Sequence, residues 1–220
     1  MEKIISFLKK CFTKESLKKF YFTFAWLIIV IIAADLISKW CVQNSLDTYQ
    51  TVPLIPGLLN VTLVHNLGAA FSLGAGGELA WRIIWISVSV IMSIGLSYFY
   101  IRKYSSFRTW TKVALVMIIA GAVGNMIDRI FYWKDIVGFD GVIDWIDFQF
   151  GPNGPHFATF NLADSSLVIG VIILIIIVIV DAVKEYKEKD KRGEYDLKPQ
   201  DYKKKIEEEN ESDSGQSGSN

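Results

Sequence analysis

Apolar residues in this chain do not recur with the period of a soluble helix or strand. They gather into four blocks, each close to the roughly 20 residues that cross the hydrocarbon core of a bilayer as a helix. The blocks are Phe20–Trp40, Trp81–Ile101, Thr111–Trp133 and Asn161–Val183. The fourth is rich in Ile and Val, which favour strands. Its length and its lack of turn residues decide for helix, because a lone strand cannot satisfy its backbone in lipid. Trp40, Trp81, Trp110 and Trp133 fall at the block edges, where aromatic rings anchor at the interface. The expected fold is an α-helical integral membrane protein, with a four-helix transmembrane body over 20–183 and spans at about 20–40, 81–101, 111–133 and 161–183.

The segments between the blocks add a small extracytoplasmic β-element. "LLNVTLV" alternates as a short strand should, and "NLGAAFS" follows it, with Gly68, Ala69 and Ala70 permitting close backbone approach. The second long loop has turn signals at "FDG" and "GPNGP", with "VIDWIDF" between them. Such a sheet suits a position resting on the membrane surface.

Charge then orients the chain. Lys3, Lys9, Lys10, Lys14, Lys18 and Lys19 precede the first block; Arg102, Lys103, Arg108 and Lys112 lie between the second and third. Residues 41–80 carry no Lys or Arg, and residues 134–160 carry only Lys134. By the positive-inside rule both termini are cytoplasmic and the two long loops face outward. Segment 1–19 is an uncleaved basic flank. Its stripe of Ile4, Ile5, Phe7, Leu8, Cys11 and Phe12 reads equally well as an interfacial amphipathic helix. Segment 184–220 is a charged cytoplasmic tail, a helical extension fraying into disorder. Cys11 and Cys41 flank the first block, so no bridge between them is expected.

Against this background the polar residues within the spans stand out. Asp35 and Lys39 are four apart and share a helix face; Asn125 lies one turn from Asp128 and Arg129; Asn161 and Asp164 open the fourth block. Although successive spans alternate in direction, all three clusters reach the same depth, the outer leaflet. An ionisable residue within a span costs about 2.5–3.5 kcal/mol on insertion scales and usually faces a bundle interior or a wet cavity. Ion pairs snorkelling at helix ends would explain each cluster alone, but not their common level.

The chemistry left open is carboxylate chemistry. His65 and His156 have no metal-ligand spacing, no phosphate loop or nucleophile elbow appears, and Ser165 and Ser166 are placed to bond their own helix backbone. No metal, cofactor or nucleic acid is expected. Two carboxylates held close share one proton, so one can take a proton from water while the other gives one to a carbonyl oxygen. Four aspartates compete for the two places: Asp128, Asp144, Asp147 and Asp164. Asp147 reads as a solvated strand residue and Asp140 as a turn residue. The rival class is a proton-coupled carrier in which Asp164, Asp128 and Asp35 relay protons.

Five motifs carry a resemblance: "DLISK" at Asp35–Lys39, "NLGAAFSL" at Asn66–Leu73, "GNMIDRI" at Gly124–Ile130, "GVIDWIDF" at Gly141–Phe148 and "FNLADSSLVIG" at Phe160–Gly170. In order, spacing and topology the chain from Ala33 to Asp181 resembles the bacterial lipoprotein signal peptidases (signal peptidase II). The resemblance implies an aspartyl intramembrane endopeptidase of the bacterial cytoplasmic membrane. It would remove signal peptides from diacylglyceryl-modified prolipoproteins, cleaving before the lipidated cysteine at the outer face. It implies Asp144 and Asp164 as the catalytic pair and Asp128 as structural support. Asn66, Gly68, Asn125, Arg129, Asn161, Asp35 and Lys39 would bind substrate. Membrane lipids and globomycin-type inhibitors are the implied partners, and the enzyme is expected to act as a monomer. Two positions depart from the family pattern: His65 stands where Arg is frequent, and Trp145 where Phe is usual.

Overall fold

The computed structural model describes residues 23–68, 79–132 and 141–191. The first 22 residues, Ala69, Ala70, Asp140 and the tail beyond Lys191 lie outside the described residues, and with them the expectations for the basic flank and the tail. Four helices are long and apolar enough to cross a membrane. They are α1 (Ala25–Ser45), α2 (Leu79–Lys103), α3 (Thr109–Phe131) and α4 (Leu162–Lys191). A short 3-10 turn at Tyr104–Ser106 joins α2 to α3. The apolar blocks locate all four, while their ends move for local reasons. α1 continues past Trp40 because its last turns remain satisfied: Leu46 N–H donates to the Val42 carbonyl at 3.0 Å, and the Asn44 amide donates to the Trp40 carbonyl at 2.7 Å. α4 outruns its apolar block because the Lys/Glu stretch continues the helix, with Lys189 paired to Glu185 at 2.7 Å.

The chain forms two compact units that part after Leu174: the first carries the sheet and every residue discussed below, and the second begins at Ile175 with the rest of α4. In the first unit α3 is the central helix. It buries Ala114, Leu115, Val116, Ile118, Ile119, Ala120 and Gly121. Large side chains such as Ile29 and Ile37 on α1 and Ile91 and Ile94 on α2 are exposed, as lipid-facing positions should be. Small residues set how closely the start of α4 approaches α3. A Cβ on Gly121 would lie 2.3 Å from the Ala163 carbonyl oxygen, whereas a Cβ on Gly95 of α2 would meet nothing within 4 Å. Gly121→Ala should therefore force the helices apart at about 1–3 kcal/mol and lower the thermal unfolding temperature of the solubilised protein, while Gly95→Ala should not.

Three strands form one antiparallel sheet in the order β1 (Thr51–Ile55), β2 (Leu59–Asn66), β3 (Val142–Phe148). β1 escapes a reading by pattern because Pro53 sits within it. The sheet tolerates that proline because β1 is an edge strand, fully exposed and paired only to β2. β2 pairs with β3 through Asn60↔Asp147, Val61↔Ile146 and then Val64↔Asp144, so one extra residue bulges on β2 and β3 stays regular. On a regular strand, positions three apart point to opposite faces. Asp144 and Asp147 are therefore sent to different surroundings by the pleat itself. Gly141 opens β3 at φ +105°, where a Cβ would fall 2.5 Å from the Asn66 carbonyl oxygen.

Candidate active site

The first turn of α4 explains why Asp164 stands where it does. Asn161 precedes the helix and its side-chain oxygen accepts the Asp164 N–H at 2.9 Å; the Asp164 carboxylate accepts the Asn161 N–H in return at 3.2 Å. This is a capping box, which satisfies two of the helix's otherwise orphaned donors and sets a negative group at the positive end of its dipole. Asp35 of α1 caps the same turn from outside, accepting the Ala163 N–H at 3.0 Å. The other Asp164 oxygen accepts the Asn125 amide of α3 at 2.6 Å.

Asp144 comes from the sheet and is almost wholly buried. One oxygen accepts the Asn66 amide of β2 at 2.9 Å, the other the Asn161 amide at 2.7 Å. Asn161 thus touches both carboxylates, Asp144 through its side-chain amide and Asp164 through its backbone N–H. Its amide also reaches the Asn125 oxygen at 3.0 Å and the Ile143 carbonyl at 3.3 Å. Burial, and next the negative charge of Asp164, pushes the Asp144 carboxyl up to about 7, against the pull of the Asn66 and Asn161 amides.

Beneath this pair lies a closed ionic group. Lys39 Nζ is 2.6 Å from Asp35 and 2.7 Å from Asp128, and donates to the Asn125 oxygen at 3.3 Å, using its three protons on three acceptors. Asp128 also accepts the Ile143 N–H at 3.3 Å, tying α3 to β3. The side chains of Lys39, Asp35 and Asp128 are 0% exposed. Asp35 and Lys39, expected to contact substrate, are sealed in this structure beneath the contacts that α1, α3 and α4 make. They brace α1, α3 and α4 against one another, and Asp128 joins them through Lys39.

Arg129, one residue on, is half-buried. It donates to the Asn125 carbonyl and the Gly68 carbonyl, both at 3.2 Å, and its charge acts on Asp164 and Asp144. Gly68 N–H in turn donates to the Asn66 side-chain oxygen at 3.0 Å. Sequence reasoning missed Arg82, a cation just inside the second apolar block. Its guanidinium donates to the Arg129 carbonyl at 2.7 Å and to the Tyr132 carbonyl, capping the C-terminal end of α3, where the helix itself supplies no donors. A cation at the start of a span was the available signal.

Two further expectations change. Asp147 is buried, not solvated: it accepts from the Thr62 hydroxyl at 2.8 Å and pairs with His156 Nδ1 at 2.8 Å. Ser165 does bond its own helix, at the Asn161 carbonyl, but Ser166 donates across to the Met117 carbonyl of α3 at 2.9 Å. His65 lies between the Gln43 side chain at 2.8 Å and the Thr48 hydroxyl at 3.4 Å, and burial lowers its pKa.

Membrane-spanning helices that hold two amide-cradled carboxylates beside an arginine define an integral membrane protein with an acidic, enzyme-like centre. Comparison with known proteins sharpens that class. The profile of the family described as Signal peptidase (SPase) II matches residues 27–180. The chain is 37% identical over 172 residues to a lipoprotein signal peptidase of Staphylococcus epidermidis, covering 78% of this chain and 98% of that one. It is 40% identical over 167 residues to a lipoprotein signal peptidase of Buchnera aphidicola, covering 76% and 96% respectively. A solved bacterial membrane enzyme superposes with a TM-score of 0.59 at 32% identity, over 72% of this chain and 88% of its own. The chain belongs to the signal peptidase II family and is a membrane protease.

Proposed function

We propose that this protein is an aspartyl endopeptidase that removes signal peptides from diacylglyceryl-modified prolipoproteins, cutting before the lipidated cysteine. The observation that carries the reading is Asn161, whose side chain and backbone hold Asp144 and Asp164 from two different elements. Asp144 holds the pair's proton and Asp164 acts as base. Asp164 takes a proton from a water whose oxygen attacks the scissile carbonyl carbon, while Asp144 donates its proton to the carbonyl oxygen. As the resulting diol collapses, Asp164 gives its proton to the leaving nitrogen, Asp144 recovers one from the diol, and the C–N bond breaks. Asn66, Gly68, Asn125, Arg129 and Asn161 hold the substrate backbone and the two carboxylates in register. The substrate's acyl chains remain in lipid, anchoring it at about 0.8 kcal/mol per buried methylene. The centre works near the outer leaflet of the bacterial cytoplasmic membrane with both termini cytoplasmic, a reading that the Lys and Arg distribution supports. The enzyme works there as a monomer that globomycin-type peptides block.

Purified protein mixed with a diacylated prolipoprotein peptide should release a product beginning at the modified cysteine. A carrier would leave the peptide intact. Because Asp144 must carry a proton and its carboxyl is pushed up to about 7, the cleavage rate should fall as pH rises through about that value. The same shift has a stability sign. A carboxyl raised on folding favours the protonated state, so the fold loses stability as pH rises from the unfolded value toward 7, and Asp144→Asn should flatten that slope.

A further inference from the structure

Asp144 rides on β3 and Asp164 on α4, and the chain between them, Gln149 to Phe160, must deliver one against the other. That arm doubles back on the sheet. The Trp145 and Ile146 N–H groups both donate to the Phe160 carbonyl, at 3.0 and 2.8 Å, and Phe160 N–H returns to the Ile146 carbonyl at 3.1 Å. Phe160 is the residue before Asn161, so its register on β3 decides where Asn161 meets Asp144. Farther along, isolated bridges pair Gln149 with His156 and Ile146 with Phe160.

On the face of β3 turned away from the catalytic pair, a chain of side chains crosses the whole sheet into this arm. The Thr62 hydroxyl of β2 donates to Asp147 at 2.8 Å, so its single proton is used. Its 2.9 Å contact with Thr51 of β1 is then one in which Thr51 donates. At the other end His156 Nδ1 lies 2.8 and 2.9 Å from the two Asp147 oxygens. With the carboxylate as acceptor, His156 donates through Nδ1. The carboxylate is 4% exposed and the imidazole 47%, so the bond has a buried acceptor and a donor reached from the surface. Nothing in the proposed chemistry uses this group, yet burying a carboxylate is costly unless its bonds are made.

We infer that the Asp147–His156 clasp is a positioning device: it locks the arm to the sheet and thereby sets the register in which Phe160 and Asn161 bring Asp164 to Asp144. The inference rests on reading Asp144 and Asp164 as the working pair. His156 is a positioning residue, touching neither substrate nor the reacting atoms. A loosened clasp lets the arm slide on β3, and small misplacements of reacting groups are expensive in rate while binding elsewhere is unchanged.

The test compares full-length wild type, His156→Ala and His156→Asn in detergent. It reads kcat and KM on a diacylated peptide, and hydrogen exchange at the Ile146 and Phe160 amides. Asparagine places an amide donor close to where Nδ1 stands. His156→Ala should lower kcat about tenfold with KM changed by less than about twofold, and should speed exchange at Phe160. His156→Asn should recover kcat to within about threefold of wild type. An unchanged kcat in His156→Ala, a rise in KM alone, or an asparagine variant as slow as the alanine one overturns the inference. Failure of the underlying pair would show separately, as an active Asp164→Asn enzyme.

Discussion

Asp144→Asn and Asp164→Asn should each reduce cleavage of a diacylated peptide by at least about a thousandfold, the range in which loss of general acid or base work is expected. Both variants should still insert and fold. At Asp164, asparagine keeps an oxygen for the Asn161 N–H, so the capping box survives. At Asp144, the substitution removes an ionisable group that burial disfavours. Each asparagine also sets its NH2 against one amide donor, so thermal unfolding of both variants separates lost chemistry from a lost contact. Asp147 gives the contrast. Asp147→Asn retains an acceptor for Thr62 and sits on the opposite face of β3, so cleavage should be slowed and still measurable. Peptide cleavage followed by mass spectrometry separates these outcomes.

Lys39→Met should be the most damaging substitution for stability. Lys39 pairs with both Asp35 and Asp128, and all three side chains are sealed from solvent. Removing one partner of a buried ionic group costs about 3–5 kcal/mol, because the charges left behind have no water to turn to. That is a large part of the total stability of most proteins. Adding Asp35→Asn and Asp128→Asn to Lys39→Met removes the uncompensated charges and should restore much of the folded yield, as read by thermal unfolding. Cleavage should stay slow in that triple variant. Without Nζ on the Asn125 oxygen, only the Asn161 amide is left to hold that side chain toward Asp164.

The same residues show how far a sequence carries. The four helices and β2 are legible because period and length are local properties, printed in consecutive residues. The convergence of Asp35, Asn125, Asp128 and Asp164 is legible because spans of known length bring known positions to one depth. What each group does at that depth is not. Whether Lys39 faces a cavity or a sealed contact depends on how closely α1, α3 and α4 approach, and that is set by Gly121, Gly124 and Ala163 jointly. Asp147 reads as solvated because the alternation that sends it away from the helices says nothing about the arm folding over that face. His156, which covers it, is nine residues away and joined to it only through the folded loop. β1 is hidden by Pro53, harmless at an edge and disqualifying in a centre, and edge or centre is a property of the assembled sheet.

One measurement reaches the shared proton itself. Isotope-edited infrared spectroscopy of the solubilised enzyme can follow the protonated carboxyl band of Asp144 with pH, in wild type and in Asp164→Asn. The expected result is a protonated Asp144 that ionises as pH rises through about 7, with a lower midpoint once the charge at position 164 is gone. An Asp144 already ionised in the weakly acidic range, or a midpoint indifferent to residue 164, would mean that the two carboxylates do not hold a proton between them.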